Sequence, residues 1–261
     1  MPRRPCGRPS GEGHADGSAL VSLGSMTDET NTALIVGASR GLGLAIVEEL
    51  AKRNWRVIGT VRDTTAATQL HDLAARSGGQ IMLEQLDITK PEQLPPLHNR
   101  LTSRSERELG VLFVNAGTAT DADTPIGSVS TSDFIDVMIT NALSPMRVIE
   151  ALQDLVAPTG LIGAMTSGQG SIANNTTGSR ELYRGSKAAL NQFMRSFAVR
   201  QAGTDRSLLL MAPGWIKTAL GGDDAPFTID ENVPHVVDVM LAKCGVPGLQ
   251  FLDFRGDTVP W

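Results

Sequence analysis

The sequence predicts an α/β protein, a single doubly wound parallel sheet of about seven strands with helices on both faces. Two observations lead there. Short, nearly continuous apolar runs recur along the chain, and longer amphipathic stretches separate them, so strand and helix alternate. Alternation of this kind produces a parallel sheet buried on both sides. A chain of 261 residues is also well within the size of one α/β domain, taken here as residues 31–261.

The elements follow in order. ALIVG (33–37) is an apolar strand, GLAIVEELAKR (43–53) an amphipathic helix, WRVIGTV (55–61) a strand and TAATQLHDLAARS (65–77) a helix. QIMLEQLD (80–87) reads as strand, 91–107 as a helix that Pro95 and Pro96 threaten to break, and VLFVNAG (111–117) as strand. A helix over 132–156, strand LIGAMTS (161–167), helix 182–202, strand SLLLMAP (207–213), a short helix near 233–243 and strand LQFLDF (249–254) complete the series. In such a fold ligands bind at the carboxyl ends of the strands.

Residues 1–30 are rich in Gly, Ser, Pro and charge and have no hydrophobic stretch of the kind a signal segment requires. They cannot bury enough apolar area to offset ordering entropy, so a disordered extension is expected, with Met26 a candidate start. Net charge is −5, which argues against a nucleic-acid or anionic-membrane partner. No apolar run approaches the roughly 18 residues that span a bilayer. Cys6 and Cys244 lie far apart, which fits a reducing, cytoplasmic compartment. His14, His71, His98 and His235 show no metal-ligand spacing.

Directly after the first strand comes VGASRGLG, with Gly37, Gly41 and Gly43. Glycines let a phosphate approach the backbone, and the helix that opens there aims its N–H groups and positive dipole end at the anion. Position between strand and helix makes this a dinucleotide-binding loop rather than a plain turn. ELYRGSKAAL (181–190) holds the only tyrosine of the chain, Tyr183, four residues ahead of Lys187. On a helix both side chains share one face. Spacing alone favours an ordinary surface pair.

The spacing G-x-x-x-G-x-G resembles that of short-chain dehydrogenases/reductases. The glycine loop, Asp87, the NAG of Asn115 to Gly117, Asn141, Tyr183 with Lys187, and Pro213-Gly214 stand in that family's order over residues 32–218. PGWIKTALGG (213–222) and FLDFRGDTVPW (251–261) resemble the C-factor and sniffer-type carbonyl reductases. Two positions depart from the family pattern: Val36-Gly37 stands for its TG, and Val114-Asn115-Ala116-Gly117 for its NNAG. Both changes remove polar groups that support the glycine loop.

The resemblance implies a Rossmann-like fold, NADP as cofactor, a small-molecule carbonyl/alcohol substrate and a homo-oligomer, dimer or tetramer. It implies four catalytic residues. Tyr183 gives a proton to the substrate oxygen as hydride arrives, and Ser167 holds that oxygen. Lys187 binds the nicotinamide ribose and, together with the positive nicotinamide, lowers the pKa of the tyrosine, which at about 10 is otherwise too high. Asn141 holds a water on the proton path behind Lys187. The implied cofactor-binding residues are Gly37, Ser39, Arg40, Gly41, Leu42 and Gly43 of the loop, Arg62, Asp87 and Ile88, Asn115, Ala116 and Gly117, the Tyr183–Lys187 pair, and Pro213, Gly214, Ile216 and Thr218.

NAD-preferring members end the second strand with an acidic residue, where this chain has Val61. Arg40 and Arg62 are then suited to clamp a 2′-phosphate, although a shifted register would let Asp63 serve NAD. Ser171 is the alternative to Ser167 by its distance from the tyrosine; the end of the apolar strand LIGAM favours Ser167. The polar loop 219–231 is expected to be mobile and to close over substrate. Two other functions remain open on the same fold: an NADP-binding regulatory or signalling protein, and an epimerase or lyase using the same tyrosine.

Overall fold

In chain order the elements are β1 (Thr32–Val36), α1 (Gly41–Lys52), β2 (Arg56–Val61), α2 (Gln69–Arg76), β3 (Ile81–Gln85), α3 (Leu94–Arg104) and β4 (Leu109–Val114). There follow α4 (Thr131–Met138), α5 (Ser144–Leu152), β5 (Val156–Met165), α6 (Glu181–Arg200), β6 (Ser207–Ala212), α7 (Ile229–Ala242) and β7 (Gly248–Asp253). The computed structural model describes residues 31–104, 108–119 and 124–261. The expected extension over residues 1–30 and the start at Met26 lie outside the described residues.

All seven strands pair in parallel, in the order β3-β2-β1-β4-β5-β6-β7. Successive residues of a strand face opposite sides of the sheet. Leu34 and Val36 of β1, Leu112 and Val114 of β4, and Leu208 and Leu210 of β6 pack on one side, against α3, α5 and α6. Ala33 and Ile35, Val111 and Phe113, and Leu209 and Met211 pack on the other, against α1, α2 and α7. The near-continuous apolar runs are therefore strands buried on both faces. The order reverses between β1 and β4, and the crevice there lies at the carboxyl ends of the strands. Among the described residues no helix is long and apolar enough to cross a membrane.

Four expected boundaries are corrected. Pro95 and Pro96 do not break a helix, because they fall in the first turn of α3, where N–H groups lack intrahelical partners in any case. Helix 65–77 begins only at Gln69, since the Asp63 carboxylate accepts from the Thr65 N–H at 2.8 Å and turns the chain first. The helix near 233 starts earlier, at Ile229. Glu231 N–H donates to Thr228 Oγ1 at 3.3 Å and Thr228 N–H to Glu231 Oε2 at 2.9 Å, a reciprocal cap. The single helix over 132–156 is instead α4, a π turn at Ile139–Leu143 and α5, and β5 already begins at Val156. Pro145 follows the π turn and has no N–H to offer the carbonyl of Asn141, four residues earlier.

Candidate active site

The implied site residues gather at one end of the sheet, because each follows the carboxyl end of a strand or lies on a helix packed there. Gly37 leaves β1 with φ 86°, and a Cβ at that point would stand 2.7 Å from the Cβ of Ala116 after β4. Gly43 has no room for a side chain either: its Cβ would meet the Gly37 carbonyl oxygen at 2.0 Å. At Gly41 nothing lies within 4 Å of an added Cβ, so the outer side of the turn is open.

The two departures from the family pattern find their compensation here. Gly37 N–H donates to Thr60 Oγ1 at 2.9 Å, and Asn115 Nδ2 donates to the Gly37 carbonyl at 2.9 Å. The loop is thus braced from β2 and from the end of β4.

Around the turn, Ser39 and Leu42 are partly exposed and Arg40 is exposed. Arg62 is exposed just past β2, whose last residue is the buried Val61. Asp63 is tied up locally, accepting from Thr65 N–H and, at 2.7 Å, from Thr65 Oγ1. Those bonds hold its carboxyl below the usual range. Asp87 lies past β3, next to the buried Ile88. Burial pushes its pKa up, but hydrogen bonds from Thr89 and the charges of Lys90 and Arg62 outweigh this, and the net shift is downward.

The other half of the site rests on α6. Tyr183, Lys187, Leu190, Asn191 and Met194 follow helical spacing on the stripe facing the sheet, which is why Lys187 is buried. Its Nζ donates to the Met165 carbonyl at 2.9 Å, at the last residue of β5. Burial lowers its pKa from 10.5 to about 8. Ser167, two residues past β5, lies beside the Tyr183 side chain and lowers its pKa, and its Oγ accepts from Gln169 N–H at 3.1 Å. Ser171 is 1% exposed, and its Oγ accepts from Asn174 N–H at 3.1 Å, which shapes its own loop. The structure thus brings Ser167, rather than Ser171, to the tyrosine.

The protein's own groups set the Tyr183 pKa before any nicotinamide charge adds to them. Burial raises it, and the opposing influences, the Ser167 hydrogen bond and the Arg180 charge, are smaller. Lys187 Nζ lies 5.9 Å from the ring centre and spends a hydrogen bond on Met165.

Asn141, in the π turn, is fully buried. Its Oδ1 accepts from Thr118 N–H at 2.8 Å, while its Nδ2 donates to the Thr118 carbonyl at 2.8 Å and to Ser186 Oγ at 2.9 Å. Ser186 in turn donates to the Tyr183 carbonyl at 2.8 Å. Gly117 passes beside both Asn141 Oδ1 and Lys187 Nζ; an added Cβ would approach them to 3.3 and 3.4 Å.

Past β6, Pro213 and Ile216 are buried, Gly214 is exposed with φ 89°, and Thr218 is partly exposed. Trp215 is exposed, and its Nε1 donates to the Gly221 carbonyl at 2.7 Å. Phe227 is held as well: Lys217 N–H donates to its carbonyl at 2.8 Å, and its ring centre is 5.2 Å from that of Phe254. With Ile229–Glu231 already helical, the free part of the expected lid is shorter than 219–231.

A family model described as short chain dehydrogenase matches residues 31–226. The chain belongs to the short-chain dehydrogenase family. Among relatives, the C-signal of Myxococcus xanthus is 33% identical over 153 residues, 58% of this short-chain dehydrogenase and 92% of that protein. A chain from Burkholderia multivorans, described as a short-chain dehydrogenase/reductase and solved with bound NADP, is 60% identical with a TM-score of 0.85, covering 88% of this chain and 99% of that one. The carbonyl reductase Sniffer of D. melanogaster is 28% identical with a TM-score of 0.80, covering 89% and 100%.

Sequence reading missed several supporting residues of this short-chain dehydrogenase. Thr60 is one, Ser186 another. Thr166 Oγ1 donates to Asn191 Oδ1 at 2.7 Å, and Asn191 Nδ2 donates to the Gly170 carbonyl at 3.2 Å, fastening both ends of the Ser167 turn to α6. Asn191 stands one helical turn past Lys187, and an amide on that stripe was the available signal. Thr60, inside an apolar strand, carried none.

Proposed function

We propose that the protein is an NADP(H)-dependent oxidoreductase interconverting a carbonyl compound and its alcohol, with Tyr183 as general acid and base. The observation that carries this reading is that Ser167 stands close enough to the Tyr183 side chain to lower its pKa, with Lys187 one turn further along the same helix face. When bound, the cofactor supplies or accepts the hydride. Ser167 and Tyr183 then hold the substrate oxygen, and Tyr183 delivers its proton there during reduction or removes it during oxidation. Positive charge nearby favours the phenolate that delivery leaves behind. Carboxamide bonds occupy the Asn141 side chain, so a water on the proton path would bind its backbone carbonyl, which Pro145 leaves without its α-helical donor.

The residues present suit NADP. The turn between β1 and α1 directs N–H groups outward, Val61 places no carboxylate at the end of β2, Thr65 occupies Asp63, and Arg40 and Arg62 are exposed beside the turn. That a similar chain was solved with NADP supports the choice. Steady oxidation of NADPH, stoichiometric with reduction of a member of an aldehyde, ketone and quinone panel, tests the reading. Turnover of substrate without net cofactor oxidation would assign an epimerase or lyase instead.

A further inference from the structure

Arg180 ends the loop between β5 and α6 and stands at the first turn of α6 with φ 60°, in the left-handed region. Glycine or asparagine adopts that conformation at lower cost than a residue with a long side chain. Arg180 makes no side-chain cap on the helix. Its guanidinium carbon lies 5.4 Å from the centre of the Tyr183 ring. It reaches the ring from the turn before Tyr183, whereas Lys187 reaches it from the turn after.

The two cations differ in what they have left to offer. Lys187 is 3% exposed and bonded to Met165. Arg180 is partly exposed, its Nε is buried without a hydrogen-bond partner, and no carboxylate among the described residues pairs with it. Its neighbours are committed elsewhere: the Glu181 carboxylate accepts from Ile126 N–H at 3.0 Å, and Arg184 donates to the Ser179 carbonyl at 2.6 Å and to Thr177 Oγ1 at 2.8 Å. Beside the reacting phenol there is thus a guanidinium with donors to spare, which matches the planar fork of a carboxylate.

We propose that Arg180 binds a carboxylate of the substrate, so that the enzyme acts on short oxo acids whose acid group lies a few bonds from the carbonyl carbon. The proposal rests on the reading that Tyr183 protonates a carbonyl oxygen. Asp223 and Asp224 on the loop past β6 are exposed to water, which screens their repulsion of an incoming anion. The carbonyl oxygen meets Ser167 and Tyr183 while the acid group meets Arg180, which fixes the substrate at both ends.

The test compares wild type with Arg180→Gly and Arg180→Lys. Arg180→Gly suits the left-handed backbone, so it removes the side chain without straining the fold. Reduction of 2-oxobutyrate and acetoacetate by NADPH is measured beside that of their methyl esters. Oxamate and ethyl oxamate binding to the protein–NADPH complex is followed by nucleotide fluorescence. Wild type is expected to prefer each acid to its ester. In Arg180→Gly the loss of kcat/KM for the acids should exceed that for the esters about tenfold or more, mainly through KM, with oxamate binding weakened to a similar degree and Arg180→Lys intermediate. Equal use of acid and ester by wild type, or equal losses for both in Arg180→Gly, would overturn the proposal. If wild type reduced none of the four, nor any member of the aldehyde, ketone and quinone panel, yet bound oxamate through Arg180, the anion site would stand and the carbonyl-reduction reading would fall. Oxamate binding as tight in Arg180→Gly as in wild type would overturn the anion site itself and leave the carbonyl-reduction reading standing.

Discussion

The Ser167 hydroxyl, two residues past β5, stands beside the Tyr183 phenol in the first turn of α6 and lowers its pKa. A turn fastened to α6 through Asn191 supplies the serine and α6 itself the tyrosine, so the pair is as rigid as those contacts. Tyr183→Phe removes the transferable proton and keeps the ring. Turnover is expected to fall about 10²–10⁴-fold with NADPH affinity retained. A variant that kept a tenth of the wild-type rate would show that another group is the acid.

Ser167→Ala is expected to lower kcat on the order of 10²-fold, as for one lost oxyanion donor. Ser171→Ala loses the bond from Asn174 and should loosen its loop, raising KM with kcat nearly unchanged. Parallel kinetics on the two variants check this, and reversed effects would place the substrate oxygen one turn further along the loop.

Lys187 makes stability depend on pH. Between about 8, its folded pKa, and 10.5 the unfolded chain keeps a proton the folded one has released, so stability rises with pH through that window. Below it the folded protein bears the cost of a buried charge. Lys187→Met removes that cost, at most about 3 kcal/mol, and loses a hydrogen bond worth about 1 kcal/mol. The variant should therefore be at least as stable as wild type at pH 7, with its advantage shrinking toward pH 10, while turnover and NADPH affinity fall. Urea unfolding at several pH values measures the difference; an advantage constant with pH would mean that the lysine keeps its ordinary pKa and stays charged in the folded protein.

Asn191→Leu strands the Thr166 hydroxyl and the Gly170 carbonyl and should cost about 1–3 kcal/mol together with turnover. Adding Thr166→Val removes one stranded group and should recover part of the stability without recovering activity, because the Ser167 turn stays unfastened. Thermal melts and kcat on both variants test this coupling.

Arg40→Ala with Arg62→Ala is expected to abolish preference for NADPH over NADH, chiefly through KM for NADPH. Persistence of the preference would move the 2′-phosphate contact elsewhere.

Most of the fold was legible because strands buried on both faces appear as apolar runs, as LIGAM and SLLLMA do. Boundaries were less so where side chains decide them. The Asp63–Thr65 turn, the Thr228–Glu231 cap and the effect of Pro145 on Asn141 each depend on one local bond or its absence, which periodicity does not register. In the site, ordered motifs gave Tyr183, Lys187, Asn141 and the glycine turn. The upward pull of burial on the Tyr183 pKa was not legible, since it follows from how the ring packs rather than from any motif. Arg180 was missed for a similar reason: only its left-handed backbone and its place over the ring distinguish it from any loop arginine.

Thr60 and Asn115 hold the glycine turn, Thr166 and Asn191 hold the serine turn, and Asn141 with Ser186 holds the start of α6 to the segment after β4. Every one of these fasteners is an amide or an alcohol, and none changes charge between mild acid and mild alkali. Acid or base therefore leaves the scaffold of the site in place while it alters the groups that perform the chemistry. A pH–rate profile recorded on this enzyme would report protons moving at the reacting centre and at Lys187, not the loss of these amide and alcohol contacts.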